Sequence, residues 1–211
     1  RPGDSLFTRY FLSACNGFIT MSDKVMNDLR RFEDAKPMKK VWHPLYDNFG
    51  TAVDRSAARQ HLGLPGDKKI LLFFGFIRAY KGLDLLIQAM AILKKERDKE
   101  MNEGKSVVMN DLILLIAGEY YDDAKKYKDL IRSTGISDML IERTDFIPDD
   151  QVRYYLSACD GVIQPYRNAT QSGVTPLAYH FEKPMIVTNV GSLPDLVPHN
   201  KVGLVCEPDP E

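Results

Sequence analysis

Two uninterrupted apolar runs, Ile70-Leu71-Leu72-Phe73-Phe74 and Leu112-Ile113-Leu114-Leu115-Ile116-Ala117, each stop at a glycine, Gly75 and Gly118. A short apolar run bounded by a turn residue reads as a buried strand. Behind each run comes a stretch with helical spacing, from about Leu83 to Lys95 and from Asp123 to about Ser133. The alternation continues through the apolar pairs Leu140-Ile141 and Phe146-Ile147, then a helix from Asp149 to Ala158 and a strand at Gly161 to Gln164. A helix from about Ser172 to Phe181 and a strand at Pro184 to Thr188 follow. Apolar strands separated by amphipathic helices pack as a parallel sheet covered on both faces, so the predicted class is α/β, a Rossmann-like doubly wound parallel sheet.

The first part of the chain reads differently. Tyr10 to Cys15 closes a helix, Gly17 to Met21 is a short strand, and Ser22 caps a charged helix running to about Phe32. Lys39 to Gly50 keeps no period and reads as a connector. The division expected is therefore 1–45, the last unit of a preceding domain plus its connector, and 46–211, a Rossmann-like domain cut short at its C-terminus. The opening Arg1-Pro2-Gly3 and the closing Glu207 to Glu211 fit a piece of a longer protein. A near-repeat links the two parts, Leu12-Ser13-Ala14-Cys15-Asn16-Gly17 and Leu156-Ser157-Ala158-Cys159-Asp160-Gly161. Small residues let a helix end close to a sheet, and Asn or Asp before Gly makes the turn into a strand. Two domains of one plan would each need that corner; coincidence in a common corner is the other reading.

A net charge of −1 gives no global attraction to nucleic acid, and no apolar run reaches the eighteen or so residues of a membrane span. The three cysteines, Cys15, Cys159 and Cys206, are odd in number and lack metal-ligand spacing, which predicts buried thiols in a reducing, cytoplasmic setting. No Asp-X-Asp triplet occurs, and His43, His61, His180 and His199 are scattered, so no metal site is expected. No Gly-X-Gly-X-X-Gly follows a strand, which argues against a plain dinucleotide-binding domain.

The order Phe74-Gly75, then Lys81-Gly82-Leu83-Asp84-Leu85-Leu86-Ile87, Leu115-Ile116-Ala117-Gly118, Phe146-Ile147-Pro148 and Ala158-Cys159-Asp160-Gly161 resembles the C-terminal half of GT-B glycosyltransferases of family 4. The stretch from Glu182-Lys183-Pro184 to Leu196-Val197 is similar to that family's final segment. The resemblance implies the donor-binding half of a two-domain enzyme, with a remnant of the acceptor domain in front. Such an enzyme, retaining in mechanism, moves a sugar from a nucleotide-diphosphate sugar to a glycan or lipid-linked acceptor in polysaccharide assembly. It needs no cofactor and no metal, and works in the cytoplasm, with peripheral association at the inner membrane face compatible with a lipid-linked acceptor.

A departing diphosphate needs positive charge and aligned N–H groups. The resemblance places Arg78 and Lys81, in the turn after the first strand of the domain, as its ligands; the family's arginine directly after the glycine is replaced by Phe76. It also places Gln171, Ser172, Gly173, Val174 and Thr175 as a phosphate cradle, with Gly173 allowing close approach. Gly118, Glu119, Asp145, Phe146 and Ile147 are the positions implied for the base and ribose. The family's glutamate pair would fall at Ala169 and Leu177, which carry no carboxylate, so the catalytic residues are not assigned. His180 reads as a packed or surface histidine and Glu182 as a turn residue. A sugar-nucleotide epimerase of the same fold and a non-catalytic nucleotide-sugar-binding module are the competing readings; the former would need acid and base carboxylates where Ala169 and Leu177 stand.

Overall fold

The computed structural model describes residues 4–104 and 111–210. The chain opens with helix α1 (Asp4–Ala14), strand β1 (Phe18–Thr20), helix α2 (Asp23–Arg30) and strand β2 (Met38–Lys40). Ser22 caps α2 as expected, its hydroxyl accepting from the Val25 N–H at 3.2 Å. Strands β1 and β2 pair in parallel as a two-stranded sheet of their own. The sequence reading missed β2, whose Met-Lys-Lys carries no alternation and lies half in solvent.

The remainder runs α3 (Arg55–Leu62), β3 (Lys69–Phe74), α4 (Leu83–Asn102), β4 (Leu112–Ala117), α5 (Ala124–Thr134), β5 (Leu140–Arg143), α6 (Asp149–Ala158), β6 (Gly161–Gln164), α7 (Val174–His180), β7 (Met185–Thr188), α8 (Leu193–Leu196) and β8 (Gly203–Cys206). Six strands form one wholly parallel sheet in the order β5-β4-β3-β6-β7-β8. The strand order reverses at the β3/β6 pair, the place where doubly wound sheets open a crevice beyond their strand ends. Phe146 and Ile147 lie in a loop rather than a strand; Pro148 follows immediately and starts α6.

Alternate residues of each strand serve opposite layers. Leu72, Leu115 and Val162 pack with Leu156 and Leu177 on one face, while Phe73, Leu114 and Ile116 meet Leu83, Ile87 and Ile131 on the other. Each such side chain, taken fully out of water, contributes about 1.5–3 kcal/mol. Underneath one corner sits Arg59 of α3, only 2% exposed. Its Nε donates to Ala158 O, its Nη1 reaches the carbonyls of Pro65, Gly66 and Lys68, and its Nη2 pairs with Asp160 at 2.9 Å. Asp160 also accepts from the Ile70 N–H at 2.7 Å and from Arg55 at 2.8 Å. A buried guanidinium is tolerated only when it is hydrogen-bonded and paired, and here each of its three nitrogens has a partner.

Of the three cysteines expected to be buried, only Cys159 is; Cys15 is half-buried and Cys206 exposed. Cys206 ends β8, the outer strand of the sheet among the described residues. Burial pushes the Cys159 thiol up to about 12. Among the described residues no helix is long and apolar enough to cross a membrane.

Candidate functional site

Two turns meet at the C-terminal edge of the sheet, the one after β3 and the one after β6. The first makes a single turn of 3-10 helix, Ala79–Lys81, before α4. It ends on Gly82 at φ 68°, and a Cβ there would lie 1.9 Å from the Pro165 carbonyl oxygen, so only glycine lets the two turns touch. The Arg167 N–H donates to Tyr80 O at 2.8 Å, and the Arg167 guanidinium pairs with Asp84 at 2.9 Å. The second turn is anchored from behind by Thr188 Oγ1 to Tyr166 O (2.6 Å) and Ser192 Oγ to Thr170 O (2.5 Å).

Between the turns lies a cavity of about 280 Å³, into which Lys81 and the segment Gln171 to Val174 face. Lys81 is 8% exposed, its Nζ packs against Gly75, and no carboxylate pairs with it among the described residues. Burial first, and the nearby charge of Arg78 second, bring its pKa down to about 8. The ammonium is thus held in a place that only an incoming anion would relieve. Tyr166, at the back, is buried; its hydroxyl meets Ser172 Oγ at 3.2 Å, and that oxygen accepts the Val174 N–H at 3.2 Å. Burial raises the Tyr166 phenol well above its ordinary value.

Of the residues assigned to the diphosphate, Lys81, Gln171, Ser172, Gly173 and Val174 share this cavity. Thr175 turns inward, its hydroxyl donating to Gln164 Oε1 at 3.1 Å. Arg78 is not among the residues that line the cavity; its guanidinium lies 4.2 Å from the ring centroid of Tyr121, with Nε buried and unpartnered. Gly173 has φ −70°, and the space beside its Cα belongs to Tyr46, whose Oη would lie 3.3 Å from an added Cβ. Tyr46 comes from the connector, to which the sequence analysis assigned no site residue. It bonds His43 Nε2 at 3.1 Å, and farther along His180 Nε2 meets Gly50 O at 3.0 Å, so both ends of α7 touch the connector.

Gly118, Glu119, Asp145, Phe146 and Ile147 lie on the same sheet edge, after β4 and β5, outside this cavity. The Glu119 carbonyl accepts the Ile77 N–H at 2.8 Å and the Gly118 N–H donates to Arg143 O at 2.9 Å, which ties the two loops to the β3 turn. Phe146 is 67% exposed. Ala169 and Leu177 are both buried within the apolar core. Glu182 has φ 52°, fitting the turn it was read as. Among the described residues no group of three or more His, Cys, Asp and Glu is placed to hold a metal ion.

Residues 54–211 match the family described as glycosyl transferases group 1. The chain is 27% identical over 199 residues to a D-inositol 3-phosphate glycosyltransferase of Streptomyces avermitilis, covering 93% of this chain and 42% of the relative. It is 31% identical over 159 residues to the protein of that name from Saccharomonospora viridis, covering 72% of this chain and 34% of the relative. The backbone superimposes on sucrose-phosphate synthase from Thermosynechococcus elongatus with a TM-score of 0.78 at 20% identity, over 99% of this chain and 49% of that one. Anabaena HepE, solved in complex with UDP and glucose, gives 0.73 at 17% identity, over 98% and 55%. These likenesses establish the fold as the C-terminal Rossmann-like half of a GT-B glycosyltransferase. The chain spans about two fifths of the length of the curated relatives it matches.

Proposed function

We propose, because this chain belongs to the glycosyl transferases of group 1, that it is the half of such an enzyme that holds the nucleotide-sugar donor. The observation that carries this reading is Lys81, a buried ammonium without a carboxylate partner, facing the cavity at the strand-order reversal. When the glycosidic bond breaks, the diphosphate takes the electron pair and the sugar becomes oxocarbenium-like; Lys81 neutralises the charge that develops there. Arg78 adds a second cation once its guanidinium leaves the Tyr121 face, and the turn at Gln171 to Val174 offers a hydroxyl and N–H groups. The base and ribose then extend toward Gly118, Glu119 and Asp145 to Ile147. No metal enters this reading, because Lys81 and Arg78 supply the charge. Transfer with retention, to a glycan or lipid-linked acceptor in the cytoplasm or at the inner membrane face, belongs to the whole protein. The burial of Ala169 and Leu177 favours a second reading, a module that binds without turnover, which assay of the full-length protein separates from the first.

Calorimetry on the 211-residue chain tests the site. Lys81→Ala should weaken nucleoside diphosphate binding about tenfold or more, as loss of a charge-assisted hydrogen bond implies. A bound diphosphate raises the pKa of Lys81 above its value of about 8 in the empty site. Binding therefore takes up a proton near that pH, and affinity should fall as pH rises through about 8. Unchanged affinity in Lys81→Ala, with the fold intact, would remove the site from this cavity.

A further inference from the structure

Six aromatic rings, those of Tyr46, Phe49, Phe74, Phe76, Tyr80 and Tyr166, face the cavity beside Lys81. Phe76 and Tyr80 are 47% and 42% exposed and form its rim, whereas Tyr166 closes its floor. Tyr46 stands edge-on to Phe49 with ring centroids 5.9 Å apart, and Tyr80 stands edge-on to Tyr166 at the same separation. Three of the rings are phenylalanine. Among the tyrosines, the hydroxyl of Tyr46 is engaged with His43 and that of Tyr166 with Ser172, which leaves the exposed Tyr80 hydroxyl and Gln171 carboxamide as the polar side-chain groups at the mouth. Ser172 in turn already receives the Val174 N–H. Lys81 is the one charged side chain of the lining, and no carboxylate joins it among the described residues.

A pocket that encloses a whole drug-sized ligand has roughly 300–1,000 Å³. At about 280 Å³ this cavity holds one part of a donor, a sugar ring next to the diphosphate on Lys81. Sugar hydroxyls buried there would give up water and find few acceptors in return, whereas C–H groups and a methyl group would pack on ring faces. We propose that the donor sugar is a 6-deoxyhexose, and that Tyr46, reaching in from the connector, is the residue that sets this preference. The inference rests on the donor-site reading above and adds the class of sugar to it.

The test is calorimetry on the 211-residue chain with free nucleoside diphosphates, and with hexose, 6-deoxyhexose and hexuronate conjugates on the same base. An apolar pocket rejects an added hydroxyl by about a hundredfold at most, so the 6-deoxyhexose conjugate should bind about tenfold tighter than its hexose counterpart. Tyr46→Ala should bring that ratio to within about twofold, the ratio being taken between conjugates on the same variant so that any change in nucleoside diphosphate affinity cancels. Tyr46→Leu serves the same comparison if circular dichroism shows that alanine disturbs the fold. Hexose or hexuronate conjugates binding as tightly as the 6-deoxyhexose overturn the inference, as does a ratio that survives both Tyr46 variants. Binding of no nucleoside diphosphate at all overturns the donor-site reading itself, and the sugar assignment falls with it.

Discussion

The corner Leu12-Ser13-Ala14-Cys15-Asn16-Gly17 and the corner Leu156-Ser157-Ala158-Cys159-Asp160-Gly161 are built alike down to their far partners. Each ends a helix and turns into a parallel strand. In each, a Lys-Pro-Met triplet comes alongside: Lys36 Nζ donates to the carbonyls of Leu12 and Ser13, and Lys183 Nζ to those of Ser157 and Cys159. The Phe18 N–H donates to Pro37 O and the Val162 N–H to Pro184 O, both at 2.9 Å. A lysine at a helix C-terminus satisfies carbonyls that the helix leaves open and meets its negative end favourably. The likeness therefore reaches beyond a chance hexamer, into two triplets the sequence reading did not connect. The copies differ in what surrounds them. Leu156 lies in the main core, whereas Leu12 is buried outside both core clusters, on a helix whose Leu6, Phe7, Tyr10 and Phe11 are largely exposed. Asp160 anchors Arg59 and Arg55; its counterpart Asn16 is exposed. A shared corner thus sets local geometry, and the layers packed on it set its energy.

Five substitutions probe that contrast, with stability read by chemical denaturation. Leu156→Ala should cost about 4 kcal/mol and Leu12→Ala far less, because only the former opens a cavity in a core that cannot collapse. Equal losses would break the distinction. Asp160→Asn makes the second corner read like the first and leaves the Arg59 guanidinium without its carboxylate, for a loss of about 3 kcal/mol. Lys183→Met leaves the α6 carbonyls unpaired and should cost about 1.5 kcal/mol. The reciprocal Asn16→Asp, at an exposed position, should stay within about 0.5 kcal/mol of the parent. A large change there would mean that the first corner has a partner of its own.

What could be read from the letters follows from range. Strands β3 and β4 announce themselves because burial on both faces demands continuous apolar runs, and the Lys81 turn follows directly from β3. Helix α3 carried a cap at Asp54 and a left-handed Gly63 at its end, a start and stop signal that an eye on apolar runs passes over. Strand β8, with Leu204 and Cys206 exposed, lacks the apolar continuity of the inner strands. Arg59 was illegible for another reason. Its partners lie up to 101 residues away, and nothing in a charged helix of surface composition marks one arginine as buried. Tyr46 was hidden likewise, since a connector without periodicity gives no face to assign. The residues offered for the base and ribose came from likeness alone.

The seam between β3 and β6 has a consequence for how the molecule comes to exist. The Ile70–Asp160 bond spans 90 residues, so joining these strands closes a long loop whose entropy is lost before any contact repays it. Lys81 stands on one side of that seam and Ser172 on the other. Folding intermediates that have formed only β3 to β5 would own half a site. On the proposed donor-site reading, a donor recognises only the chain that has closed this loop, and its binding adds to the free energy of global unfolding. Ligand concentration would then set how long the completed sheet outlives its partly folded rivals.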